Sequence, residues 1–337
     1  MNLSELNPST YTPHFLHSAQ ADWAETNCYV DLWIGLLHGL GLQPEACLGF
    51  IVGADFEDDQ WTFFKQPASD LWTLYGIQVE ELSLWQPVLE HCVTQVHAGK
   101  VPLLEADSFY LPDTRATDYR TNHVKTTIGI TLVDPADKRL RYFHNAGFYE
   151  LQGEDFEGLF RFAERGAHSD DLSSGHPRWL PPFCEIAKLQ RRVALPAAEL
   201  QRRALGILRE RLDTVPEVNP FSRLRSAWPE HVDLLLSRGL DAYHGYTFSM
   251  LRQCGACYSL LGAHTNWLAP SLPQGPAAAE HFSAISQRCK SVLMNLARVV
   301  NSKKPKDFTE QLDAMQKHWE SGVKLLLPAR VSRSRSQ

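Results

Sequence analysis

The stretch Glu25-Thr26-Asn27-Cys28-Tyr29-Val30-Asp31-Leu32-Trp33 decides how this chain is read, because a polar approach turns into an apolar helix at the cysteine itself. Val30, Leu32, Trp33, Leu36, Leu37 and Leu40 make a broad apolar stripe that buries the helix and holds its N-terminus rigid, and Gly41 closes it. A thiol placed there meets the positive end of the helix dipole, which favours thiolate, and unpaired N–H groups that hold an oxyanion. Cys28 is therefore the candidate nucleophile, with Asn27 and Glu25 beside it as candidates for oxyanion or substrate contacts. The competing reading is a plain buried cysteine.

A nucleophile needs a base. Thr121-Asn122-His123-Val124-Lys125-Thr126-Thr127-Ile128 reads as a strand opening at His123, whose alternation turns His123 away from the more apolar face. The next strand ends in Tyr142-Phe143-His144-Asn145-Ala146-Gly147, and a hairpin about Asp134-Pro135-Ala136-Asp137 would return Asn145 beside His123, where its amide orients the imidazole. His144 is the rival for that role and strand register decides between them; the turn residues Ala146-Gly147 favour Asn145. Asp107-Ser108-Phe109-Tyr110-Leu111-Pro112-Asp113 ends another strand at a loop, which makes Asp107 and Tyr110 candidates for shaping a pocket. An Asp followed by turn residues commonly bonds its own backbone, so the structural reading of Asp107 is preferred.

The chain has 337 residues, 44% of them hydrophobic, which is enough for two cores. The expected class is α+β: a cysteine-enzyme domain over 1–165, a linker at 166–182, a mainly helical domain over 183–329 and a disordered tail at 330–337. In the first domain the reading is helix at 28–40 and 45–52, a strand-like aromatic run at 61–64, helix at 84–98, and strands at 101–107, 123–132 and 139–144. Helices follow at 197–212, 231–238, 240–261, 280–300 and 308–327. A formal net charge of -6 gives no electrostatic case for nucleic acid. With no leader-like start and no run approaching about 18 apolar residues, a cytoplasmic chain without a membrane span is expected. The seven scattered cysteines suit reduced thiols. Cys254-Gly255-Ala256-Cys257 matches CxxC only formally, and Glu57-Asp58-Asp59 has no ligand spacing, so no metal is expected. Arg202, Arg203, Arg209 and Arg211 form a basic helix face that is either solvated or a dock for an acidic carrier protein.

Cysteine, histidine and asparagine in that chain order form a papain-like arrangement. The segments ETNCYVDLW, DSFYLPD, NHVKTTIGI and YFHNAG together resemble a bacterial family of unknown function found near biosynthetic genes. More distantly they are similar to the butirosin-type papain-fold acyltransferases, which move an acyl or aminoacyl group from a carrier-protein thioester to an amine. The resemblance covers most of residues 15–160. It implies a papain-like first domain, Cys28 as nucleophile, His123 as general base and Asn145 as its orienting partner. The distant relatives carry Asp before Pro where this chain has Asn145 before Ala146, and Gln20 is not at the oxyanion spacing of that pattern. No cofactor is implied beyond the phosphopantetheine of the carrier partner. The alternatives are a cysteine hydrolase with the same triad and a non-catalytic scaffold that binds a carrier protein.

Overall fold

The computed structural model describes residues 3–18, 21–25, 27–165 and 182–329. The linker expected at 166–182, apart from Pro182, and the tail at 330–337 lie outside the described residues.

The chain is α+β, with six strands and ten helices among the described residues. It forms two compact units that interleave in sequence: residues 1–19, 28–43 and 71–194 make the first, and 20–27, 44–70 and 195–337 the second. Residues 20–27 and 44–70, which the local pattern groups with the N-terminal domain, thus cluster with the C-terminal one. The reason lies in their apolar side chains. In the second unit the Trp61 ring packs against Phe221 and Tyr258, with centroids 5.6 and 6.0 Å away. Trp61 starts no named strand; it makes a single isolated bridge to Phe56.

The first unit is built on one antiparallel sheet of β1 (Gln78–Glu81), β2 (Lys100–Asp107), β3 (Lys125–Asp134), β4 (Arg139–His144), β5 (Gly147–Gln152) and β6 (Cys184–Lys188), in the order β1-β6-β2-β3-β4-β5. Helix α1 (Cys28–Gly39) covers one face. A Cβ at Gly129 of β3 would meet Leu32 at 3.4 Å, and Cβ atoms at Gly35 and Gly39 would meet the Phe143 ring of β4 at 3.3 and 2.7 Å. Two glycines on the helix and one on the strand let the backbones approach closely. Helix α2 is Ala68–Tyr75, and α3 (Val88–His97) and α4 (Glu154–Arg165) cover the other face. Their core there includes Val88, Cys92, Leu104, Ile128, Ile130, Tyr142 and Phe156. The period-2 alternation of β3 separates these layers, Ile128 and Ile130 facing one and Gly129 the other.

The second unit is helical: α5 (Ala197–Arg211), α6 (Pro220–Arg238), α7 (Leu240–Thr247), α8 (Gln253–Trp267), α9 (Gly275–Ser302) and α10 (Thr309–Leu326). The start of α6 comes earlier than the sequence pattern suggests because Asn219 caps Phe221 N–H at 3.0 Å and Pro220 fits the first turn. The Gly255 of the CxxC motif lies under the Trp23 ring, and Cys254 Sγ sits 3.4 Å from Cys289 Sγ, so this segment packs helices. Burial pushes the Cys254 and Cys257 thiols well up, which makes them inert. No described helix is long and apolar enough to cross a membrane.

Candidate functional site

Cys28 is the first residue of α1 and is half-buried. Helix geometry puts residues 28, 32, 35 and 39 on one stripe. Leu32, Gly35 and Gly39 rest on the sheet, so Cys28 is turned toward the sheet face that α1 covers. Tyr29, the next residue, reaches Glu185 of β6 with its hydroxyl at 2.8 Å.

On β2, Leu104 and Ala106 belong to the core of the opposite face, so alternation assigns Leu103, Glu105 and Asp107 to the α1 face. Asp107 is paired in register with Lys125, and the ladder runs on past the named strands through Ser108 N–H to the Val124 carbonyl at 2.9 Å. His123 therefore precedes β3 instead of opening it, and the extended register sets it across from Phe109. Its Nδ1 lies 2.6 Å from Asp107 Oδ2. Asp107 is 2% exposed and the imidazole 58% exposed. The other carboxylate oxygen, Oδ1, accepts the Phe109 N–H at 3.1 Å. One carboxylate thus serves the turn, as sequence reasoning preferred, and the histidine as well. A carboxylate accepts only, so Nδ1 donates this bond, and in the neutral ring Nε2 is then the lone-pair nitrogen.

Asn145 is not brought to His123. Phe143 pairs with Gly129, which sets Asn145 level with Thr127, and β4 ends at His144 before reaching the height of His123. Asn145 instead begins a two-residue turn into β5, at φ +44. That left-handed conformation is one that asparagine tolerates better than most residues. His144 does not reach His123 either. It lies on the Tyr142 face, where Nδ1 meets Asp113 Oδ2 at 2.5 Å and Nε2 meets the Thr126 hydroxyl at 2.7 Å. The Tyr142 hydroxyl donates to Asp113 Oδ1 at 2.5 Å, and burial with the nearby Asp113 charge pushes the Tyr142 phenol well up. This buried Thr126–His144–Asp113–Tyr142 chain ties β3 and β4 to the loop after β2.

Of the remaining candidates only Tyr110 stays beside His123, its ring edge-on to the imidazole with centroids 6.4 Å apart. The same ring fills the space a Cβ at Gly158 of α4 would need, so Tyr110 packs the site against α4. Asn27 is buried in the second unit, its amide donating to the Phe64 carbonyl at 2.7 Å and to Gln253 Oε1 at 3.4 Å. Glu25 contributes its carbonyl to Arg252, 3.0 Å away. Of the basic face, Arg203 bonds Glu199 at 2.7 Å, Arg202 shares that carboxylate, and Arg211 bonds Asp70 at 2.7 Å. Three of the four guanidiniums are thus already paired, which weakens the face as a dock. A cleft of about 510 Å³ in the first unit is lined by Pro8, Tyr11, Asp113, Phe148 and Tyr149 among others; neither Cys28 nor His123 lines it. Among the described residues no group of three or more His, Cys, Asp or Glu side chains could hold a metal ion.

Family models place this arrangement. The DUF1839 N-terminal domain matches residues 12–188 and the DUF1839 C-terminal domain matches residues 197–328. The chain belongs to the DUF1839 family. That family is one of unknown function, and the match itself carries no link to acyltransferases. No curated protein matches the chain. The family boundary at 188–197 agrees with the end of β6 at Lys188 and the start of α5 at Ala197. Sequence reasoning missed Asp107 as the partner of His123 because it looked to the β3–β4 hairpin. The carboxylate came from the other neighbour, β2, whose end register no local signal announces.

Proposed function

We propose that this DUF1839 protein is a cysteine-dependent acyltransferase of papain-like design, moving an acyl or aminoacyl group from a pantetheine thioester to an amine. The observation that carries the reading is the His123–Asp107 pair, a buried carboxylate orienting an exposed imidazole on the sheet face toward which Cys28 begins α1. Asp107 takes the orienting role that the sequence offered to Asn145.

In this reading Cys28 gives its proton to His123 Nε2, and its sulfur attacks the thioester carbonyl. The tetrahedral oxyanion rests on backbone N–H groups at the start of α1. Pantetheine leaves as thiolate and takes the proton back from His123. The amine then attacks the Cys28 acyl-enzyme, His123 accepts its proton, and Cys28 departs and is reprotonated. One thioester replaces another in the first half, so the energy for amide formation is retained. Among the described residues no hydrogen bond joins Cys28 to His123. The reading requires that contact to close when substrate binds, as catalytic hydrogen bonds commonly do.

The test is an intact-protein mass spectrum after incubation with S-acetyl- and S-aminoacyl-pantetheine, comparing wild type with Cys28→Ala and His123→Gln. The expected result is an acyl adduct on wild type only, discharged by an amine faster than by water. An adduct discharged faster by water marks a hydrolase. No adduct and no thioester turnover with any donor would sink the reading.

A further inference from the structure

The imidazole of His123 is held in its own plane and across its face, with the Tyr110 ring edge-on at 6.4 Å between centroids. In its own plane Nδ1 donates to Asp107 Oδ2 at 2.6 Å. Across its face the Phe109 ring lies stacked, with centroids 4.3 Å apart and planes 11° from parallel. An in-plane hydrogen bond by itself does not stop a ring swinging about that bond, whereas a parallel ring in van der Waals contact opposes the swing. The imidazole is more than half exposed, so burial alone does not fix its orientation.

Phe109 cannot follow the imidazole outward, because its own position is fixed. Its N–H donates to Asp107 Oδ1 at 3.1 Å and its carbonyl accepts the Arg120 N–H at 3.0 Å. Its ring meets the edge of Tyr110, 5.0 Å between centroids. The Arg120 guanidinium lies 5.8 Å from the centre of the Phe109 ring, 5.7 Å from Tyr110 and 5.5 Å from Tyr119. It ends on Asp155 of α4 at 2.5 Å. Arg120 holds φ +58, a left-handed conformation uncommon for a non-glycine residue.

We propose that Phe109 is a positioning residue of the His123 site, its ring setting the imidazole plane so that Nε2 keeps one direction for proton exchange, with Arg120 and Asp155 locking Phe109 in place. The inference rests on the reading of His123 as the working base, but its structural half is tested separately. In full-length protein carrying ¹³C-labelled histidine, the His123 ring resonances are assigned by loss in His123→Gln. The stacked Phe109 shifts them upfield by several tenths of a ppm. Phe109→Leu abolishes that shift, Phe109→Tyr keeps it, and Arg120→Ala reduces it. With the donor found in the mass-spectrometric screen, Phe109→Leu lowers kcat at least tenfold with KM within twofold, and Phe109→Tyr restores the rate. Unchanged His123 resonances in Phe109→Leu overturn the proposal, as does a lost ring shift with kcat unchanged. If no donor acylates wild-type Cys28, the acyltransferase reading fails by itself, and the resonances alone decide whether Phe109 fixes the imidazole.

Discussion

Replacing Gly39 by alanine tests how α1, and Cys28 at its start, is seated on the sheet. The new Cβ would lie 2.7 Å from Cζ and 3.3 Å from Cε1 of Phe143, and 3.2 Å from Leu6 Cδ1. Ordinary contact needs the ring to retreat by roughly 0.7–1 Å. Phe143 is fully buried and boxed in by Phe148 and Tyr11, with centroids 4.6 and 5.7 Å away, so it has nowhere to go without moving them. Overpacking of this kind costs about 1–3 kcal/mol. Gly39 is the last residue of α1, so alanine there regains less than the roughly 0.5–1 kcal/mol it gains over glycine in mid-helix. The net expectation is a loss of about 1–2 kcal/mol, a fall in Tm of roughly 2–4 °C per kcal/mol. Gly206 in α5 is the internal control, because a Cβ there meets nothing within 4 Å. Gly206→Ala keeps the propensity gain and stabilises by about 0.5–1 kcal/mol. Urea and thermal unfolding followed by circular dichroism compare the two, and Phe143→Leu in the Gly39→Ala background recovers part of the loss. If Gly39→Ala is as stabilising as Gly206→Ala, α1 does not rest on Phe143 and Cys28 is not turned toward the sheet.

Three other outcomes are expected. Asp107→Asn keeps an acceptor for the Phe109 N–H but turns an amide donor toward His123 Nδ1, which selects the other tautomer; turnover falls about 10²–10⁴-fold while Tm stays within a few degrees, and ¹⁵N shifts of the ring report the tautomer. Asp113→Ala leaves the Tyr142 hydroxyl and His144 Nδ1 buried without their acceptor and costs about 3–5 kcal/mol in urea unfolding, a loss under about 1 kcal/mol contradicting the network. His264 is fully buried and its pKa is lowered from 6.5 to about 4 by burial, so the unfolded chain binds the proton first. Its contribution is therefore present above pH 6.5 and lost as pH falls from 6.5 toward 4, up to about 3 kcal/mol. His264→Leu flattens that part of the stability curve, and an identical slope in both proteins contradicts the assignment.

The elements with strong local signals were legible in the sequence. The apolar stripe after Cys28 and the stop at Gly41 gave α1, since a helix face is written at spacings of three and four residues. The alternation at 125–134 and the Asp134–Asp137 turn gave the β3–β4 hairpin, because both are properties of adjacent residues. The short turns at residues 44–53 looked like one helix, and Trp61-Thr62-Phe63-Phe64 looked like a strand, because apolar residues were there to be buried while no ladder partner was.

What the sequence by itself determined is the α+β class, the position of Cys28 at a helix start and the presence of His123 at the edge of a strand. Which unit residues 44–70 join, and which side chain holds His123, only the tertiary structure decided. The physical reason is the same in both cases. Local periodicity records which face of an element is apolar, but the partner of that face is chosen by packing between segments far apart in the chain. For His123 the choice lay between two neighbouring strands, and it fell to Asp107 because β2 runs to the height of His123 while β4 stops at His144 and turns at Asn145.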